Sequence, residues 1–293
     1  MTKASRWRFD FARRIAASYT RNPKVRVIQV AGSVGRGVAD RYSDIEIDVY
    51  YSDPPTEAER IAAVEGCGAV VDSLDHDDEE WEEQMLLDGV HAATSTFLVS
   101  TMERYLREVV DEGQIAPAAQ TRLYSLQHAQ PLLGHDLVAQ WRAKAANYPP
   151  QLTHAMLAAN LSFRGFWYAE EMLAARGDVL LLYRSFVQVG QQLIQGLHGL
   201  NRQYLSTPDG IKWMDETLTA MPIQPAGCAA RIKAAFRVEP VEGVRILKAL
   251  IAETLDLVKL HVPDFDTAPY RANFSRHRQV WDGPPPAAGG NWL

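Results

Sequence analysis

The sequence predicts an α+β protein, with a sheet-bearing N-terminal half followed by a helical half. Three observations carry this expectation. Residues 25–30 and 45–51 are apolar, β-branched runs separated by a glycine-bearing loop. The pair Asp88-Gly89 lies between two further strand-like runs and reads as a hairpin turn. Beyond residue 123, apolar residues recur at spacings of three and four, the period of a helix that buries one face.

Trp7, Phe11, Ile15 and Tyr19 recur at i+4, which predicts an amphipathic helix over 5–20. Strands follow at 25–30 and 45–51. Pro54-Pro55 precede a helix at 56–65, and 69–74 is a short apolar run that reads as a strand. Residues 75–83 are strongly acidic and are expected to be a solvated face that steers a cationic ligand. The hairpin then joins 85–87 to 90–99, and Ser100-Thr101 with Glu103 reads as a capped helix start. Helices are expected at 123–129, 136–146, 153–176, 180–201, 211–220 and 241–262, punctuated by Gly177, Pro208 and Pro222. The tail carries Pro284-Pro285-Pro286 and Gly289-Gly290 without periodicity. These patterns divide the chain into 1–115, a helical domain over 116–265, and an irregular tail over 266–293.

With 293 residues, 47% of them hydrophobic, the chain can bury a sizeable core. A net charge of −6 argues against a broad nucleic-acid footprint. Two cysteines, far apart, make a disulfide framework an unsuitable reading and fit a reducing compartment. The N-terminus lacks the apolar core of a signal peptide, and no run approaches the roughly 18 apolar residues of a membrane span. The expectation is a soluble, cytoplasmic protein whose helical half permits a homodimer.

The segment 27–51, VIQVAGSVGRGVADRYSDIEIDVYY, carries the chemistry. Side chains alternate along a strand, so Asp44, Glu46 and Asp48 share one face. Clustered carboxylates repel one another unless a cation sits among them. Hard oxygen donors without His or Cys suit Mg²⁺ held together with a substrate phosphate. Asp48, one pleat further on, is read as solvent-facing at the strand end.

At Gly32-Ser33, the Arg36-Gly37 loop and Ser43-Asp44-Ile45-Glu46, the chain resembles the nucleotidyltransferase superfamily, the fold shared by DNA polymerase beta and the antibiotic nucleotidyltransferases. The resemblance implies a mixed β-sheet flanked by helices, followed by an all-α helical bundle. It implies a Mg²⁺ site at Asp44 and Glu46. Gly32 and Ser33 would cradle the phosphates of a nucleoside triphosphate, ATP above all, with Arg36 and Ser43 adding donors.

The superfamily places a third acid on a neighbouring strand, four residues after a glycine. That position here is Ala93, and no Asp or Glu occurs between Val90 and Met102. Three readings stay open: an inactivated enzyme, one that borrows His91 or Asp88 as base, or a pocket that binds nucleotide without turnover.

The stretch 197–213, LHGLNRQYLSTPDGIKW, resembles a helical domain that follows nucleotidyltransferase modules in little-characterised bacterial proteins. Kanamycin- and lincosamide-type enzymes also carry a helical second domain. By that analogy Asn201, Tyr204 and Lys212 contact the nucleotide. Arg164, Tyr183 and Arg184 lie among core-like residues and are weaker candidates for binding the acceptor or joining the domains. The expectation is transfer of a nucleoside monophosphate, AMP in the first instance, to a small-molecule acceptor such as an antibiotic. The alternative is a nucleotidyltransferase acting on protein or tRNA, with nucleic acid the less favoured acceptor.

Overall fold

The computed structural model describes residues 1–77, 79–163, 166, 169–276 and 283. The chain divides into two compact units, 1–155 with 202–208, and 156–201 with 209–293.

The first unit runs α1 (Lys3–Tyr19), β1 (Val25–Val30), a single turn α2 (Gly32–Gly35), β2 (Ile45–Tyr51), α3 (Glu57–Glu65), β3 (Val70–His76), β4 (Trp81–Leu87) and β5 (Val90–Leu98). It continues with α4 (Val99–Leu106), α5 (Pro117–His128), β6 (Gln130–Leu133), α6 (His135–Ala145) and the start of α7 (Pro150–Asn160). The strands form one mixed sheet in the order β3-β4-β5-β2-β1-β6. Its parallel pair is β2 with β5; the other neighbours are antiparallel.

Alternation along β2 sorts residues to two faces. Ile45, Ile47, Val49 and Tyr51 join Ala12, Ile15, Ala16 and Tyr19 of α1 and Ala63 and Val64 of α3 in one core. Burying each such aliphatic side chain contributes about 1.5–3 kcal/mol. Helix α3 starts with a reciprocal cap: Glu59 N–H donates to Thr56 Oγ1 (3.2 Å), and Thr56 N–H donates to Glu59 Oε2 (2.7 Å). The β4–β5 hairpin turns at Asp88 and Gly89, both with positive φ (52° and 78°), the geometry for which Asp-Gly is suited.

Several expectations are corrected. The boundary near 115 does not hold, because β6 pairs with β1 and completes the sheet edge, so residues to 155 belong to the first unit. A four-residue strand containing Pro131 has no readable period, and its edge position is where a proline is tolerated. The acidic run is solvated only in part: Asp75, His76 and Asp77 are exposed, but β3 ends in it, β4 begins in it, and Glu83 is fully buried. Helix α4 starts at Val99 with Leu98 as cap and no side-chain cap bond, so Ser100 and Thr101 do not cap it.

In the second unit, α8 (Val179–Leu200) and α11 (Pro240–His261) supply most of the core, with α9 (Met214–Thr219) and α10 (Cys228–Ala235). Gly243 is required there, since a Cβ would lie 2.7 Å from the Phe186 ring. The helix expected over 153–176 is interrupted: α7 ends at Asn160 and Phe163 takes a positive φ of 41°. Arg164 lies outside the described residues. Tyr183 packs edge-on to Phe186 and stacks on Phe236, a core role, and Arg184 is exposed. The 266–293 stretch is not wholly irregular, because α12 (Ala268–Phe274) forms within it and Arg271 donates to Asp256 (2.6 Å); the tail beyond 276, apart from 283, lies outside the described residues.

Candidate functional site

The central strand β2 carries Glu46 and Asp48 on the face opposite the α1 core, Asp44 immediately precedes it, and the surroundings of the three acids differ stepwise. Asp44 is exposed, Glu46 half-buried and Asp48 buried. Ala31 N–H donates to the Glu46 carbonyl (2.9 Å), which joins the entrance of the glycine turn to β2. Gly32 has φ +55°, and a Cβ there would meet Glu46 Oε2 at 2.3 Å. The turn and the Glu46 carboxylate therefore touch only because residue 32 has no side chain. Gly35 is equally constrained, since its Cβ would lie 2.2 Å from the Val30 carbonyl oxygen.

Ser33 is buried, and Arg36 closes the turn with its N–H donating to the Gly32 carbonyl (3.1 Å). The loop that follows is tied to α1. Thr2 N–H donates to the Gly37 carbonyl (2.9 Å), Thr2 Oγ1 to the Ala39 carbonyl (2.7 Å), and Ala39 N–H to Ser5 Oγ (2.9 Å). Arg8, buried, donates from Nε to the Ser43 carbonyl (2.8 Å). The Ser43 hydroxyl is engaged within the loop, donating to Asp40 Oδ1 (3.0 Å) and accepting from Asp40 N–H (3.0 Å). The Tyr42 N–H and the Ser43 hydroxyl hold the Asp40 carboxyl below its ordinary range.

Ala93 on β5 is the register partner of Glu46 on the parallel strand β2. A carboxylate at 93 would stand beside Glu46; a methyl offers neither a ligand nor a proton acceptor. His91 is exposed on the same strand face, one pleat nearer the level of Asp44. Asp88 is in the hairpin turn and accepts from Arg14 (2.8 Å).

Asp48 corrects an expectation. It is 2% exposed rather than solvent-facing, and it accepts from Gln29 Nε2 (3.0 Å), Arg122 (3.0 Å) and Ser125 Oγ (2.7 Å). The Arg122 guanidinium lies 4.4 Å from the Phe97 ring centroid. Glu80 stands 3.9 Å from Arg122, and burial raises its carboxyl above the usual range, against the lowering pull of Arg122. The sequence signal was available: a buried aspartate in IEIDVYY needs a cation, and β1, β5 and β6 offer none on that face. Arg122, on α5, the second helix after the hairpin, supplies it. Thr2, Ser5 and Arg8 were also missed, although their i+3 spacing places them on one helix face.

Of the remaining candidates, Tyr204 is buried in the first unit, where its hydroxyl donates to the Ala145 carbonyl (2.8 Å) and its ring packs on Tyr148 (5.2 Å). Burial pushes this hydroxyl up to about 12. Asn201, in the second unit, donates to the Leu197 and Ile223 carbonyls (both 2.8 Å) and accepts from Ile223 N–H (2.9 Å). Both side chains thus hold backbone, a use the sequence resemblance does not distinguish from ligand contact. Lys212 is exposed in the second unit.

The side chains that could hold a cation here are Asp44 and Glu46. Among the described residues no three His, Cys, Asp or Glu side chains gather closely enough to hold a metal by themselves. Two carboxylates fit Mg²⁺, which keeps several waters and takes its other ligands from substrate phosphates. No described helix is long and apolar enough to cross a membrane.

Comparison with known proteins gives three findings. Residues 117–214 match the family model described as a domain of unknown function, DUF4037. No match is found among the curated proteins. The crystal structure of a nucleotidyltransferase-like protein from Exiguobacterium sibiricum 255-15 is similar over 85% of this chain and 76% of that chain, with a TM-score of 0.40 and 11% sequence identity.

Proposed function

We propose that the chain is a Mg²⁺-dependent nucleotidyltransferase that moves a nucleoside monophosphate, in the first instance AMP from ATP, to a small-molecule acceptor. The observation that carries this reading is the contact between the Gly32 turn and the Glu46 carboxylate, with Asp44 exposed one pleat away. Such an arrangement sets phosphate-binding backbone beside metal-binding oxygens.

In the reaction an acceptor nucleophile attacks the α-phosphorus, a new bond to phosphorus forms, the bond to the bridging α–β oxygen breaks, and pyrophosphate leaves with the electron pair. The acceptor's proton passes to a base. Bound Mg²⁺ would supply charge neutralisation on the phosphates. Asp44 and Glu46 would hold it. The first N–H groups of a helical turn have no acceptor within it, so those of α2 would be offered to phosphate oxygens. Arg36, at the end of that turn, would add a charge-assisted hydrogen bond. Ser33 would add a hydroxyl; Ser43 serves instead to shape the loop. An antibiotic acceptor is the class the sequence resemblance suggests.

Ala93 favours a second reading, nucleotide binding without turnover, because the register partner of Glu46 provides no base. Mass spectrometry of reactions with Mg²⁺, each nucleoside triphosphate and a panel of small acceptors separates the two. A nucleotidyl mass increment from the unaltered chain establishes the enzyme. An increment from Ala93→Asp alone, raised by orders of magnitude, establishes an inactivated one. Absence of Mg²⁺-dependent nucleotide binding in both would refute either reading.

A further inference from the structure

We propose that Arg41 and Tyr42 form a stacking platform for a nucleobase beside Asp44, an inference that rests on the nucleotide-binding reading above. Among the described Phe, Tyr and Trp rings, Tyr42 is the most exposed, at 78%. A single exposed apolar side chain is ordinary; a ring displayed on a fixed backbone next to a ligand site is a different matter. The backbone is fixed on both sides of Tyr42. Its own N–H donates to Asp40 Oδ1 (2.9 Å), the preceding loop is tied to Thr2 and Ser5, and the Ser43 carbonyl accepts from Arg8 (2.8 Å).

The Arg41 guanidinium sits 4.5 Å from the Tyr42 ring centroid and donates to its hydroxyl. Cation and π face are thus presented together. Tyr42 precedes Asp44 by two residues, which limits their Cα atoms to about 7 Å apart. A planar base stacks on a tyrosine face without regard to its identity, and a guanidinium beside it suits the attached phosphate. Such a base has two sources, the donor triphosphate or the end of a single-stranded RNA acceptor.

The test is isothermal titration calorimetry of the full chain, Tyr42→Ala, Tyr42→Phe and Asp44→Asn with three probes: Mg²⁺-ATP, Mg²⁺-tripolyphosphate and a short single-stranded RNA. Tyr42 is exposed, so both of its variants are expected to melt with the unaltered chain. The expected result is that Tyr42→Ala weakens ATP binding about ten-fold, the scale of one base–aromatic stack, leaves tripolyphosphate unchanged, and is rescued by Tyr42→Phe. The same loss on RNA alone assigns the base to the acceptor and upholds the platform. Tyr42→Ala binding ATP and RNA as the unaltered chain does overturns the platform, while tripolyphosphate binding lost in Asp44→Asn still upholds the nucleotide site. If the unaltered chain binds no tripolyphosphate, the nucleotide reading fails, and the RNA arm alone decides the platform.

Discussion

The two faces of the N-terminal sheet each bury an acid against an arginine, and they use the pair differently. On the α1–α3 face, Glu83 is fully buried and accepts from Arg60 and Thr94, from Thr96 (3.2 Å), and at 3.5 Å from Tyr19. Arg60 also donates to the Asp75 and Glu82 carbonyls (both 2.8 Å). That face is closed, and its charges serve the fold. On the opposite face, Asp48 and Arg122 form a similar pair, but the strand continues outward through Glu46 to the exposed Asp44. The same alternation therefore anchors one end of an acidic row and leaves the other exposed. The comparison teaches that burial, not residue type, separates structural acids from candidate metal ligands here.

The comparison breaks most visibly at Arg60. Removing one partner of a buried pair leaves a charge without compensation and costs about 3–5 kcal/mol. Arg60→Ala is therefore expected to show a large drop in the thermal midpoint, and a midpoint within a degree of the unaltered chain would contradict the closed-face account. A smaller effect is expected at Gly32. An alanine there must adopt a positive φ and push against Glu46, costing about 1–2 kcal/mol. Gly32→Ala is expected to remain folded by circular dichroism yet lose Mg²⁺-dependent nucleotide binding; retention of both stability and binding would sink the contact as the site's basis.

The smallest expected effect is a pH dependence at Glu80. Its folded carboxyl is raised, first by burial, so the native state binds its proton more tightly than the unfolded chain does. Its contribution is present below the unfolded pKa of about 4.3 and is lost as pH rises through the folded value. Glu80→Gln keeps the neutral form at every pH. Its thermal midpoint relative to the unaltered chain is expected to rise between pH 4 and neutrality, and a difference independent of pH would remove the raised carboxyl from the account.

What was legible in the sequence follows from the range over which its signals act. Strand β2 was readable because apolar and acidic residues alternate through Ile45 to Tyr51, and the hairpin because Asp88-Gly89 is local turn chemistry. The register that places Ala93 beside Glu46 follows from two readable strands, although which strands pair is a tertiary fact. Strand β6 was not readable, since four residues containing Pro131 show no period. Glu83 looked solvated because its neighbours are acidic; the cation that buries it, Arg60, stands 23 residues earlier. Tyr204 and Asn201 looked like ligand contacts because sequence records their polar atoms and not the backbone carbonyls that occupy them.

The most direct test of the central claim, that burial separates the two uses of the acidic row, is Mg²⁺-dependent ATP binding by calorimetry in Asp44→Asn, read beside its thermal midpoint. Asp44 is exposed, and surface substitutions ordinarily shift stability by no more than about 0.5 kcal/mol. The account predicts an unchanged midpoint and lost binding. Unchanged binding, or a midpoint lowered as far as that of a buried-pair variant, would contradict it.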